Sequence, residues 1–194
     1  MIDRFLNAKH WQIFILIFGI PFLAQMLSLS AVTYTIAINE NTDKAIGLFS
    51  FFPFLIVLSI VFYFAWFFSI GVGLQKSIPS HINLNVKRFK IFLLFPAIYM
   101  FLLMLFMYYM FTNMTVTAMN TFALVFIIPM HLFAIFCMFY CMYFVAKTYK
   151  TAELQREVSF GDFVGEFFLI WFYPIGVWFL QPKINELNSN SELV

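Results

Sequence analysis

Charge is scarce in this chain: 11 basic and 9 acidic side chains stand among 194 residues, 10% of the total. Soluble domains carry roughly a quarter, and so few charges cannot clothe a water-facing globule. A soluble enzyme, a disordered tail and a nucleic-acid-binding module are excluded on that ground. The net charge of +2 is too small to draw an electrostatic partner, so only the placement of the charges carries information. Cysteine is nearly absent as well. Cys137 and Cys141 both lie inside an apolar run and cannot build a secreted disulfide framework. Histidine stops at His10, His81 and His131, too few to pair across two helices around a haem. Glu-x-x-His pairs of the di-iron kind, a phosphate-binding glycine loop, zinc-finger spacing and a Ser/His/Asp nucleophile are missing. No catalytic residue, cofactor or bound metal is therefore expected.

What the chain has is apolar surface. Hydrophobic residues make up 63% and aromatic ones 22%, and the mean hydropathy is +0.92. A helix in lipid needs about 20 consecutive residues almost free of charge, because nothing there solvates an ion. Charge-free windows cover 11–39, 45–75, 91–146 and 167–182. The third is too long for one crossing and is divided by the polar, uncharged stretch 112–121, which reads as a short loop. Four spans follow, near 12–38, 48–74, 91–111 and 122–146. A cleaved signal peptide competes for the first, with Ser28-Leu29-Ser30 as its cleavage site. The apolar character continues through Ile38, well beyond a signal core of about 7–15 residues, and favours a retained helix.

Basic residues near helix ends are retained on the cytoplasmic side. Arg4 and Lys9 precede the first span; Lys76, Lys87, Arg88 and Lys90 lie between the second and third; Lys147, Lys150, Arg156 and Lys183 follow the fourth. With four alternating crossings these share one side, and only Lys44 falls on the other. Both termini are thus expected in the cytoplasm, in a bacterial cytoplasmic (inner) membrane.

Helices in lipid associate through close packing and polar contacts. The first span presents Ala24, Ser28, Ala31 and Thr35 on one face, and the second presents Ala65, Ser69 and Gly73 at four-residue spacing. These are the expected packing faces. Each span also holds one proline, Pro21, Pro53, Pro96 and Pro129, in a two-by-two pattern that hints at tandem hairpins.

Residues 147–194 read as a cytoplasmic amphipathic segment with a membrane-interfacial stretch at 160–182 and a polar tail. Its core, Phe167 to Pro182, is dense in aromatics and interrupted by Pro174 and Gly176. Fourteen apolar residues would span only about 21 Å as a helix, which favours an interfacial or re-entrant segment over a fifth crossing. Trp171, Tyr173 and Trp178 are the expected anchors at headgroup depth. The spacing of Trp171, Pro174, Gly176, Trp178, Gln181 and Pro182 has the look of a signature, to which the sequence attaches no function. Asp162 and Glu166, one helical turn apart, admit a carboxylate pair for cation or proton handling, against the simpler reading of acidic residues at a helix start. Met100, Met104, Met107, Met114, Met138 and Met142 with Cys137 and Cys141 contain the soft ligands Cu(I) favours, although both residue types fill apolar cores.

The expectation is an all-α integral membrane protein, four transmembrane helices in a bundle plus the aromatic C-terminal segment. Its partners are the lipid bilayer and a membrane protein or a second copy of itself. With few ionisable residues in the spans, a non-catalytic accessory or assembly subunit leads, followed by a small-solute or ion transporter, for which Gln25 and the carboxylates speak, and by a membrane enzyme or copper-handling protein.

Overall fold

A computed structural model describes residues 1–39, 52–113 and 121–191, and the described chain is all-helical. The connection holding Glu40, Asp43 and Lys44, and most of the expected 112–121 loop, lie outside the described residues. In order come α1 (Ile2–Leu6), α2 (His10–Phe14), a π-helical turn (Ile15–Gly19), α3 (Ile20–Asn39), α4 (Phe52–Gly73), a 3-10 turn (Leu74–Ser77), α5 (Val86–Asn113), α6 (Thr121–Leu154), α7 (Phe160–Trp171) and α8 (Tyr173–Ser191). Among the described residues, four stretches are long and apolar enough to cross a membrane: His10–Ile38, Phe54–Ser77, Val86–Tyr109 and Val125–Leu154.

Local chemistry accounts for most of the boundaries. Pro21 would drive its ring into the carbonyl four residues back in a regular helix, and the wider π turn just before it makes the room. At the start of α5 the Asn85 side chain accepts the Arg88 N–H at 2.9 Å, so this helix begins at Val86, five residues ahead of the charge-free window. The helix of the fourth span likewise outruns its window. Lys150 pairs with Glu153 one turn on, and α6 continues past Lys147 to Leu154. It stops at Gln155, whose φ of 53° is left-handed. The Gln155 amide donates to the carbonyls of Ser77 and Ala152, which ties the ends of α4 and α6 together.

α4 packs against α1, α3, α5 and α6, and α6 packs against α5 and α7. The core gathers around Trp66, Phe67, Phe89, Val145, Tyr149 and Phe163, all essentially inaccessible. Large apolar side chains such as Leu23, Leu27, Leu94, Leu102, Leu132 and Phe136 point outward instead.

The C-terminal segment is two helices rather than one. The backbone breaks at Phe172 (φ −88°, ψ 52°), and α8 folds back onto α7. Gly176 makes the return possible, because a Cβ there would lie 1.7 Å from the Leu169 carbonyl oxygen. Near the tip the Tyr63 hydroxyl donates to the Ile170 carbonyl at 2.9 Å, and the Tyr63 and Tyr173 rings lie 5.1 Å apart. Tyr63 is eleven positions before Leu74, about 16 Å along α4 at 1.5 Å per residue. The hairpin therefore reaches well in from the end where α1, Ser77, Leu154 and Asn188 meet. Residues past Pro182, expected as a polar tail, continue α8 to Ser191 because Ile184 and Asn188 are buried against the rest of the fold.

Candidate functional site

The described polar side chains concentrate at that shared end, in two knots. The first surrounds Gln181, fully buried on α8. Its carbonyl accepts the Trp66 indole N–H at 2.8 Å, and its amide donates to the carbonyls of Phe5 and Ala8 at 2.8 and 3.0 Å. Asn185, one turn on, donates to the same Ala8 carbonyl, and Asn188 donates to the Asn7 side chain at 2.7 Å. The break between α1 and α2 leaves carbonyls without helical partners; the Gln181 and Asn185 amides of α8 meet them, and Asn188 meets the Asn7 side chain beside them. Sequence reasoning missed this role; the available signal was a glutamine embedded in an aromatic run.

The second knot is ionic. Lys150 contacts Glu153 at 2.7 Å and Glu166 at 2.8 Å, all three largely buried. The Tyr149 hydroxyl donates to Glu153 at 2.9 Å, and Lys183 approaches the same carboxylate at 3.5 Å. Two cations and two carboxylates thus close on one another between α6, α7 and α8. Asp162 does not join them. Its oxygens accept from Arg156 at 2.8 Å and from the Ser159 N–H and hydroxyl, a cap at the start of α7. The Arg156 guanidinium and the two Ser159 donors hold the Asp162 carboxyl down at about 2. The two carboxylates thus take different cations, Asp162 pairing with Arg156 and Glu166 with Lys150.

A cavity of about 260 Å³ opens between α4, α5 and α6, with Tyr63, Pro96, Met100, His131, Ala134 and Met138 in its wall. His131 turns its Nδ1 toward the Tyr99 hydroxyl at 3.2 Å. Cys137 and Cys141 are buried free thiols on α6, and no cluster of three or more His, Cys, Asp or Glu side chains occurs among the described residues.

The expected packing residues fall as follows. Ala24, Ser28, Ala31 and Thr35 are half-buried on the less exposed stripe of α3, which packs on α4. Thr35 spends its hydroxyl on the Ala31 carbonyl. On α4, Ser69 is fully buried and bonds the Ala65 carbonyl. Ala65 faces a shallow groove beside Leu94 and Ala97 of α5. A Cβ on Gly73 would come within 2.7 Å of Ile2 and Leu6, so this glycine receives the short helix α1 rather than a long one. Of the expected anchors, Trp171 packs edge-on to Phe139 and Trp178 lies against His10 and Phe14, each nearly half exposed, while Tyr173 is held at Tyr63.

Comparison with protein-family models, with curated proteins and with solved structures finds no match for this chain.

Proposed function

We propose that the protein is a non-catalytic accessory or assembly subunit of a bacterial cytoplasmic membrane, built as a four-helix transmembrane bundle with both termini in the cytoplasm. The helix pair α7–α8 enters the bilayer from the cytoplasmic side and returns, a re-entrant hairpin. The observation that carries this reading is the sorting of side chains. Amides and ions close on themselves at the end where α1, Ser77, Leu154 and Asn188 meet, whereas Leu23, Leu94, Leu102, Leu132 and Phe136 point outward along the long helices. Paired polar groups satisfied inside protein and apolar groups facing out are what a bilayer demands of a chain. Lys9, Lys76 and Lys150 belong to that same end, which supports its cytoplasmic orientation. An assembly role follows because the buried ions are spent on one another, leaving a rigid platform rather than a pathway.

The test is mild-detergent extraction of the full-length protein, affinity capture through a tag, and mass spectrometry. One membrane protein recovered in fixed ratio supports the assignment. Proton-linked solute flux from the chain reconstituted alone into vesicles overturns it in favour of transport.

A further inference from the structure

The tip of the hairpin reaches both α4 and α6. It ends at Tyr63, through the Ile170 carbonyl, and at Phe139, through Trp171. The cavity of about 260 Å³ begins at these same levels, with Tyr63 and Met138 in its wall, and continues along α6 to His131. That is seven residues, about 10 Å of helix. Every wall residue lies inside one of the long apolar helices. Among the described residues the wall is apolar, and His131 within it directs its Nδ1 to the Tyr99 hydroxyl. Water has no partner in such a space and stays out. Ile135, 41% exposed, places the mouth on the outer surface of α6.

We propose that the cavity is a binding site for one hydrocarbon chain of a bilayer phospholipid, lying end to end with the protein hairpin. The inference rests on the membrane placement proposed above, because at that depth the medium meeting the mouth is acyl chain. At about 30 Å³ per water-sized group the space has room for roughly nine methylenes, and its apolar lining suits a length of chain and not a headgroup. The lipid chain thus takes up the space between α4, α5 and α6 beyond the level where the hairpin's contacts end. Ala134, 2% exposed, sits in the wall where a larger side chain would take the place of the lipid.

The experiment uses the full-length protein reconstituted in phosphatidylethanolamine and phosphatidylglycerol vesicles, with a trace of phospholipid bearing a diazirine midway along one chain. Photolysis and peptide mapping are expected to place adducts on Met100, Ala134 or Met138 as well as on outward residues such as Leu132. Labelling confined to outward residues overturns the site. Native mass spectrometry of the detergent-extracted protein gives a second reading. One phospholipid should be retained by the wild type and by Leu132→Phe, and at least tenfold less by Ala134→Leu. Equal retention in Ala134→Leu, or a retained isoprenoid in place of phospholipid, overturns the assignment. Should Ala134→Leu fail to fold, the wild-type adduct map still decides. Alkaline washing separates the two levels: release of the chain from the vesicles overturns the placement, whereas an alkali-resistant chain labelled only on its outside overturns the lipid site alone.

Discussion

Gly176 and Gly165 lie on adjacent helices of the same hairpin, yet their surroundings differ completely. A Cβ at 176 collides with the Leu169 backbone, whereas nothing lies within 4 Å of one at 165. Gly176→Ala is expected to prevent closure of the hairpin, a loss of ~4 kcal/mol or more, while Gly165→Ala is neutral or stabilising by up to ~1 kcal/mol. Thermal unfolding in detergent compares them. Gln181 invites a second test. Gln181→Leu keeps the bulk but takes this partner from the Trp66 N–H and the Phe5 carbonyl and leaves the Ala8 carbonyl to Asn185, and a loss of ~1–3 kcal/mol is expected by the same measurement. For Asp162 the folded carboxyl sits at about 2 against an ordinary value of 3.8. A depressed carboxylate stabilises the fold above its unfolded value and loses that contribution as pH falls through the folded one. A nitroxide at position 161 should therefore stay immobile at pH 4 and above and gain mobility between about 4 and 2. Asp162→Asn should be mobile throughout; a label indifferent to both would remove the cap from the account.

At the level of elements, the small-residue stripe of α3 and the C-terminal hairpin carry different kinds of expectation. Ser28 is half-buried on the stripe and Ser30, two positions on, is exposed. Ser28→Leu is expected to destabilise by ~1–3 kcal/mol through overpacking, and Ser30→Leu to change little. Equal losses would take the stripe out of the α3–α4 contact. For the hairpin, a label at Lys183, 58% exposed beside Glu153, should react with a cytoplasmic reagent, and one at Val177, fully buried, should be shielded from either side. Reaction at position 183 from the outer side alone would convert the hairpin into a crossing.

For the whole molecule, the arrangement of basic residues predicts that a reporter active only outside the cytoplasm is silent when fused after Val194 and active when inserted near Asn113. The opposite result would invert the protein in its membrane and move both polar knots to the outer face.

The sequence by itself determined the long apolar helices. A run of some 25 uncharged residues has no other way to satisfy its backbone in lipid, and this is decided by composition without regard to neighbours. It also determined that the aromatic C-terminal stretch is interrupted, since Pro174 and Gly176 mark the interruption locally. Tertiary structure decided what the interruption does. Folding at Phe172 depends on a backbone contact between Gly176 and Leu169, and the hairpin's position depends on Tyr63, more than a hundred residues away in the chain. The same holds for the acidic residues of α7. Spacing put Asp162 and Glu166 on one face, but which cation each one meets was settled by where Lys150 on α6 and Arg156 in the turn after it project. Pairings between elements are properties of how helices cross, and a single sequence encodes them only through the sum of many weak contacts.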